Sequence, residues 1–319
     1  MITIICPHCQ KQHNIDEKKI PPNVRMARCH GCRQQFPLEI PGRVAEVATA
    51  VPAVATPVAG SQPATLPKTR RIGVSLSKGG VGKTTTSVNL AAGLALAGKK
   101  VLLVDTDTQG QASFMLGAKP KGGLTELVSE ELPPAEAVVQ VRRNLWLLAG
   151  GKSLAGIKRL IDRKDYGGEL TIGQALVPIE KDYDYVVVDT SPGWDPLTVN
   201  VLFYVYELLL PVSLEVMSIQ GFGEFLKSIA AIQKFRPEVE LRYILPTFRD
   251  MRVKKGGEFL DYLEKAYGDK VCDPIRYNVR LSEAPAYGQT IYEFAPGSPG
   301  AQDYRTLIRK ITGEPDLFK

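Results

Sequence analysis

Residues 72–98 place the tightest constraint on the fold of this chain. An apolar run, Ile72 to Leu76, leads into Lys78-Gly79-Gly80-Val81-Gly82-Lys83-Thr84-Thr85, and a helical pattern follows from Thr84 to Ala97 before Gly98. A strand, a glycine-rich loop and a helix in that order form a cradle for anionic phosphate. Small residues let the loop's backbone N–H groups turn inward, and the helix N-terminus adds its own unpaired donors. The frame is G-x-x-x-x-G-K-[ST] with one position relaxed and a second lysine, Lys78, at its head. Gly79, Gly80, Val81 and Gly82 supply the cradle, and Lys83 is placed to reach the terminal phosphates of a nucleotide. The Thr84 hydroxyl suits a Mg²⁺ ligand, and Thr85 suits an inner phosphate.

Two acidic strand ends complete the pattern. Val101 to Val104 leads into Asp105-Thr106-Asp107, and Tyr185 to Val188 leads into Asp189. Open α/β sheets bind ligands at the carboxyl ends of their strands. Asp107 is therefore the candidate for orienting an attacking water, and Asp189 for holding Mg²⁺ through water. Thr190-Ser191-Pro192-Gly193 is then expected to act as a switch that senses the terminal phosphate.

From Arg71 onward, strand and helix signals alternate, which predicts a doubly wound, mainly parallel α/β sheet of the P-loop NTPase kind. Leu208 to Val212 and Leu241 to Thr247 read as further strands, and Phe222 to Phe235 and Gln302 to Ile311 as helices. Residues 70–319 form this expected domain. Before it, residues 41–69 are mostly Ala, Val, Pro and Thr, with prolines at 41, 52, 57, 63 and 67, and read as a flexible, partly extended linker, a buried extension of the next domain being the alternative.

Residues 1–40 carry a different chemistry. Cys6-x-x-Cys9 and Cys29-x-x-Cys32, nineteen residues apart, have the four-thiolate spacing of a zinc ribbon. So short a segment lacks the apolar core to fold alone, so bound Zn²⁺ is expected to stabilise it. Iron held in the rubredoxin manner is the alternative; disulfides are disfavoured in a reducing compartment. His8 and His30 lie inside the cysteine pairs, next to the thiolates, and are expected to be exposed and not ligating; His13 falls in the same segment. The chain has no run long enough to span a bilayer and begins with a cysteine module instead of an export signal, so a cytoplasmic location is expected. Its net charge of +6 permits nucleic-acid binding without requiring it.

The motifs K-G-G-V-G-K-T-T-T-S-V-N-L (78–90), V-L-L-V-D-T-D-T-Q-G (101–110), Y-D-Y-V-V-V-D-T (183–190) and N-V-R-L-S-E-A-P (278–285) resemble the ParA/Soj branch of the deviant Walker A ATPases, the group that also contains MinD. The resemblance runs from Arg71 to the C-terminus. It implies an ATP-dependent homodimer in which Lys78 reaches across to the partner subunit's phosphates, as an arginine finger does. It also implies a contact between Asn278 and the nucleotide base or ribose. Thr108, Gln111, Ser191 and Arg276-Tyr277 depart from the family pattern, which bears on hydrolysis rate and base contact more than on nucleotide binding.

ParA/Soj relatives bind DNA non-specifically through a basic surface in the ATP state. That role falls here on Arg280 and on the cluster Arg249, Arg252, Lys254 and Lys255. Gly313, Pro315 and Asp316 after the last helix argue against a MinD-like membrane anchor. The expected function is an ATPase, nucleoid-associated in its ATP state, that positions a chromosome or plasmid locus or a protein cargo. A stimulating partner or cargo adaptor would release it, with the finger as a docking point for that partner. The alternatives are an iron–sulfur carrier ATPase, for which Cys272 alone provides no Cys-x-x-Cys pair, and a finger-directed DNA-binding regulator tuned by ATP.

Overall fold

The computed structural model describes residues 2–15, 26–37, 69–214, 219–250 and 254–318. The expected linker therefore lies, apart from Thr69, outside the described residues. The chain divides into two compact units, Met1–Lys68 with Lys164–Gly168, and Thr69–Arg163 with Glu169–Lys319.

In the first unit, β1 (Ile2–Ile5) pairs antiparallel with β2 (Gln12–Ile15), and β3 (Met26–Arg28) with β4 (Gln35–Pro37). Each hairpin carries one Cys-x-x-Cys pair at its turn. The apolar cluster is small: Ile4, Cys6, Ala27, Cys29 and Phe36, with Cys32 and Tyr166 packed against it.

The second unit is a seven-stranded sheet built from β5 (Arg70–Val74), β6 (Val101–Asp105), β7 (Val138–Arg142), β8 (Leu145–Leu148), β9 (Tyr185–Asp189), β10 (Glu207–Ser213) and β11 (Glu240–Thr247). Their spatial order is β11-β10-β5-β9-β6-β8-β7, parallel throughout except for β7 at the edge. Buried strands of a parallel sheet need apolar side chains on both faces, and the alternation serves this directly. Val101, Leu103 and Val187 join one core layer with the helices Lys83–Leu96 and Pro299–Thr312. Leu102, Val104, Val186 and Val188 join the other, under the helices Leu154–Arg163, Thr171–Glu180, Pro196–Tyr204 and Ile219–Gln233. The sequence expectations for β5, β6, β9, β10 and β11 match strands within two residues at either end, while β7 and β8 had not been anticipated.

The first residues of β5 are pinned on both sides of the strand. Thr69 Oγ1 donates to the carbonyls of Glu180 and Tyr183. The Arg70 guanidinium grips Glu207 with two N–H groups and also donates to Tyr243 Oη and to the carbonyl of Ile311. Arg71 pairs with Glu180, whose other carboxylate oxygen accepts from Tyr204 Oη at 2.6 Å. Its guanidinium also lies 4.7 and 4.8 Å from the ring centres of Tyr204 and Tyr206. No described helix is long and apolar enough to cross a membrane.

Candidate functional site

The site lies where β5, β9 and β6 leave the sheet, because that is where the chain order makes neighbouring connections diverge. β5 feeds the loop 75–82 into the helix Lys83–Leu96, while β9 occupies the gap between β5 and β6. Gly80 and Gly82 have φ of 74° and 84°, left-handed values that a side chain would resist. Val81 is fully buried between them and anchors the loop. Thr247 Oγ1, at the end of β11, donates to the Val81 carbonyl at 3.0 Å and ties the loop down from the far side.

Ser77, Lys78, Gly79 and Gly80 lie exposed on the loop, whereas Lys83 is buried. Its Nζ donates to the Lys78 carbonyl at 2.7 Å. Burial lowers the Lys83 pKa, and the Asp189 and Asp107 carboxylates pull it back. Lys83, Asp107 and Asp189 thus share one electrostatic neighbourhood. Thr84 and Thr85 occupy the first helical turn and are half-buried, consistent with access to a ligand.

The three carboxylates have separate surroundings. Asp105 faces Asp189 in the β6–β9 register. Its two oxygens accept from the N–H groups of Asp107 at 2.8 Å and Ala112 at 3.2 Å, so it holds the turn and caps the short helix Gln111–Met115. Burial, with the Asp189 charge second, pushes its pKa up to about 8 despite those hydrogen bonds. Asp107 is buried in that same loop. Its Oδ1 accepts from Gln109 N–H at 2.9 Å, and its carbonyl accepts from Gly110 and Gly151. Asp189 is fully buried and accepts from Ser87 Oγ at 2.8 Å. Burial moves its pKa up to about 6, with the Thr84 and Ser87 hydroxyls and Lys83 acting in the opposite direction.

Asp189 Oδ2 is buried without a hydrogen-bond partner among the described residues. A buried carboxylate oxygen left bare carries a large penalty, which a cation or its bound water removes. The donor set thus fits Mg²⁺, with Thr84 and Asp189 to hold it and Lys83 and the loop amides to hold ATP phosphates. Bound there, Mg²⁺–ATP would supply the transferable phosphoryl group and a charge-neutralising cation. The protein's own contribution is to fix the loop, bury Lys83 and hold the Asp107 and Asp189 carboxylates close to it.

The segment after β9 is wired to the loop. Gly193 N–H donates to the Ser77 carbonyl at 2.8 Å, and the Thr190 hydroxyl donates to the Val74 carbonyl at 3.0 Å. Ser191 Oγ donates to Asp195 Oδ2 at 3.4 Å, and Asp195 pairs with Lys158 at 2.6 Å while capping the helix Pro196–Tyr204. Burial would raise the Asp195 pKa, but Lys158 and the Thr198 amide hold it below its ordinary value.

Sequence reading passed over two parts of the site. The turn Gly150-Gly151 after β8 closes over Asp105 and Asp107, and a Cβ at Gly150 would come within 2.6 Å of the Asp105 carbonyl. Phe248, with φ of 56°, stands 3.5 Å from where a Cβ on Gly82 would sit. A Gly-Gly pair at the end of an apolar run was the available signal for the first; the second had none.

Residues 275–277 run beside the end of β11, through Arg249 N–H to the Ile275 carbonyl and Tyr277 N–H to the Arg249 carbonyl. Asn278 follows, capping the short helix Val279–Glu283. Its Oδ1 accepts from Arg280 N–H at 2.9 Å, and its Nδ2 is buried without a partner among the described residues. Arg280 is exposed and pairs with Glu283 at 2.9 Å. Arg249 is half-buried, its guanidinium 3.7 Å from where a Cβ on Gly257 would lie. Arg252 and the side chains of Lys254 and Lys255 lie outside the described residues.

In the first unit, the Sγ atoms of Cys6, Cys9, Cys29 and Cys32 all lie within 4.8 Å of one another. Cys6–Cys32 is 3.7 Å and Cys9–Cys29 is 3.4 Å. Tetrahedral zinc with Zn–S bonds of about 2.3 Å requires sulfur separations of about 3.8 Å. The four thiols therefore fit Zn²⁺.

This fold and site define a P-loop ATPase whose loop carries an additional lysine, with a four-cysteine module ahead of it. A family profile described as an AAA domain matches residues 69–241, and one described as a zinc-ribbon domain matches residues 1–37. The chromosome-partitioning ATPase Soj of Thermus thermophilus is 37% identical over 246 residues, covering 76% of this chain and 96% of that protein. Soj of Bacillus subtilis, named a sporulation initiation inhibitor, is 34% identical over 248 residues, covering 75% and 97%. Among solved structures, a Mycobacterium smegmatis protein titled cobyrinic acid a,c-diamide synthase, with bound ADP and magnesium, superposes with a TM-score of 0.66 at 29% identity, covering 76% and 96%. MinD of Pyrococcus horikoshii, at 19% identity and a TM-score of 0.65 with 78% and 98% coverage, shares the fold. The chain belongs to the ParA/Soj family of ATPases and carries a zinc ribbon at its N-terminus.

Proposed function

We propose that this protein is a positioning ATPase: with ATP it forms a homodimer that binds DNA without sequence preference, and a stimulating partner releases it by triggering hydrolysis. The observation that carries the proposal is the placement of the two loop lysines. Lys83 is buried beside Asp107 and Asp189, while Lys78, at the head of the same loop, is exposed to solvent. A lysine so placed suits a phosphate held by a second subunit, and the Soj relatives, named for chromosome partitioning, supply the context. In this reading Asp107 orients the attacking water, and Asn278, with its unpartnered Nδ2, meets the base or ribose. Arg280 contributes to the DNA surface; the basic cluster at 249–255 has a weaker claim, because Arg249 is half-buried against Gly257. The zinc ribbon docks the partner or cargo adaptor, and the protein works in the cytoplasm on the nucleoid.

The iron–sulfur carrier alternative loses ground. Cys272 is buried, and burial pushes its pKa up to about 12, so it is a poor candidate for a shared cluster.

The test is DNA retention on random-sequence duplex with ATP, ADP or no nucleotide, for wild type, Arg280→Glu and a deletion of residues 1–40. Retention that requires ATP and is lost in Arg280→Glu is expected. ATP-independent retention lost only with the finger would overturn the proposal in favour of a finger-directed regulator. Asp107→Ala should accumulate an ATP-bound dimer on a sizing column; failure to bind ATP would remove the role assigned to that carboxylate.

A further inference from the structure

The histidines most conspicuous in the sequence, inside the Cys-x-x-Cys pairs, are not those that touch sulfur. His8 is exposed, and His30 Nε2 pairs with Asp165 at 2.8 Å. His13, outside both pairs, is half-buried with its Nε2 3.3 Å from Cys29 Sγ. It lies on β2 directly across from Ile4, on the face that also carries Cys6. Cys29 Sγ accepts a second N–H, from Gly31, at 3.2 Å.

A metal-bound thiolate has lone pairs and no proton, so a hydrogen bond between it and imidazole requires the N–H on the His13 side. His13 does not belong to the set of four donor atoms lying within 4.8 Å of one another. We propose that His13 is an outer-shell residue of the zinc centre: it donates Nε2–H to Cys29 and, with Gly31 N–H, offsets the charge that four thiolates place around a divalent ion. This rests on the zinc-ribbon reading and adds to it the residue that sets the strength of the site. Outer-shell partners of this kind orient the ligand and tune the metal. Cys29 Sγ is stabilised as a thiolate by both N–H groups.

The test uses the full-length protein and its variants His13→Phe, which keeps a ring without the N–H, and His13→Gln, which restores a donor. Zinc affinity is measured by competition with a chromophoric chelator, and coordination is read from the absorption of the cobalt-substituted protein. His13→Phe should keep a four-thiolate cobalt spectrum while losing about 10–100-fold in zinc affinity, and His13→Gln should recover most of it. Unchanged affinity in His13→Phe overturns the proposal. So does a wild-type spectrum of three thiolates and one nitrogen, which would make His13 a ligand. A wild-type chain that takes up neither metal overturns the zinc reading itself, a result distinct from the other two.

Discussion

The two units of this chain reach order by opposite means. The ATPase unit sandwiches a seven-stranded sheet between two apolar layers with dozens of fully buried side chains, whereas the described residues of the ribbon unit gather a cluster of five buried residues, two of them cysteines. A fully buried aliphatic side chain stabilises by about 1.5–3 kcal/mol, so the first unit draws on many such terms and the second on very few. What the ribbon lacks in core it must take from metal–thiolate bonds. One unit therefore answers to packing and the other to chelation.

Metal removal should separate them most sharply. Structural zinc supplies on the order of 10 kcal/mol to small modules, so stripping it should erase amide protection of residues 2–15 and 26–37 and leave the sheet of the ATPase unit protected. Hydrogen exchange checks this, and equal loss in both units would break the contrast. Next in size is Glu180→Ala, which leaves Arg71 and the Tyr204 hydroxyl without their partner inside the ATPase unit. A loss of about 3–5 kcal/mol in urea unfolding is expected, with no change in zinc affinity.

The third prediction concerns pH. Without nucleotide or metal, folded Asp105 keeps its proton up to about pH 8, from an ordinary value of 3.8. The unfolded chain gives that proton up near pH 4, so between about pH 4 and pH 8 the folded state binds more protons and stability falls as pH rises. Asp189, held up to about 6, adds in the same direction over the lower part of that window. Asp105→Asn should flatten the difference, and thermal melts across the range that run parallel for both proteins would refute it. The smallest effect belongs to the surface: Arg280→Ala breaks an exposed pair with Glu283 and should cost less than about 1 kcal/mol. A melt little changed by that substitution makes any loss of DNA retention a matter of binding.

The same contrast governs what was legible in the sequence. β5, β6, β9 and β10 announced themselves because burial on both faces demands unbroken apolar runs. β7 was missed: it is a half-buried antiparallel edge, Val138–Arg142, with no such run. β8 is four residues, Leu145–Leu148, too short to tell from a helical fragment. At the site, the loop and the aspartates were local signals. Gly150, Thr247 and Phe248 reach it only through strand order, which no spacing encodes. In the ribbon, spacing identified the four cysteines, but the hairpin register that brings His13 to Cys29 lay beyond it.

The clamp at the start of β5 has a mechanical consequence. β5 runs from Arg70 to Val74 and leads into the phosphate loop, so a force that displaced its first residues would pass along it toward Lys78 and Lys83. Before it gets there it meets Arg70 anchored to Glu207 and Ile311, and Arg71 anchored to Glu180 and Tyr204. Those anchors take up such a force at the first two residues of the strand, ahead of the phosphate loop.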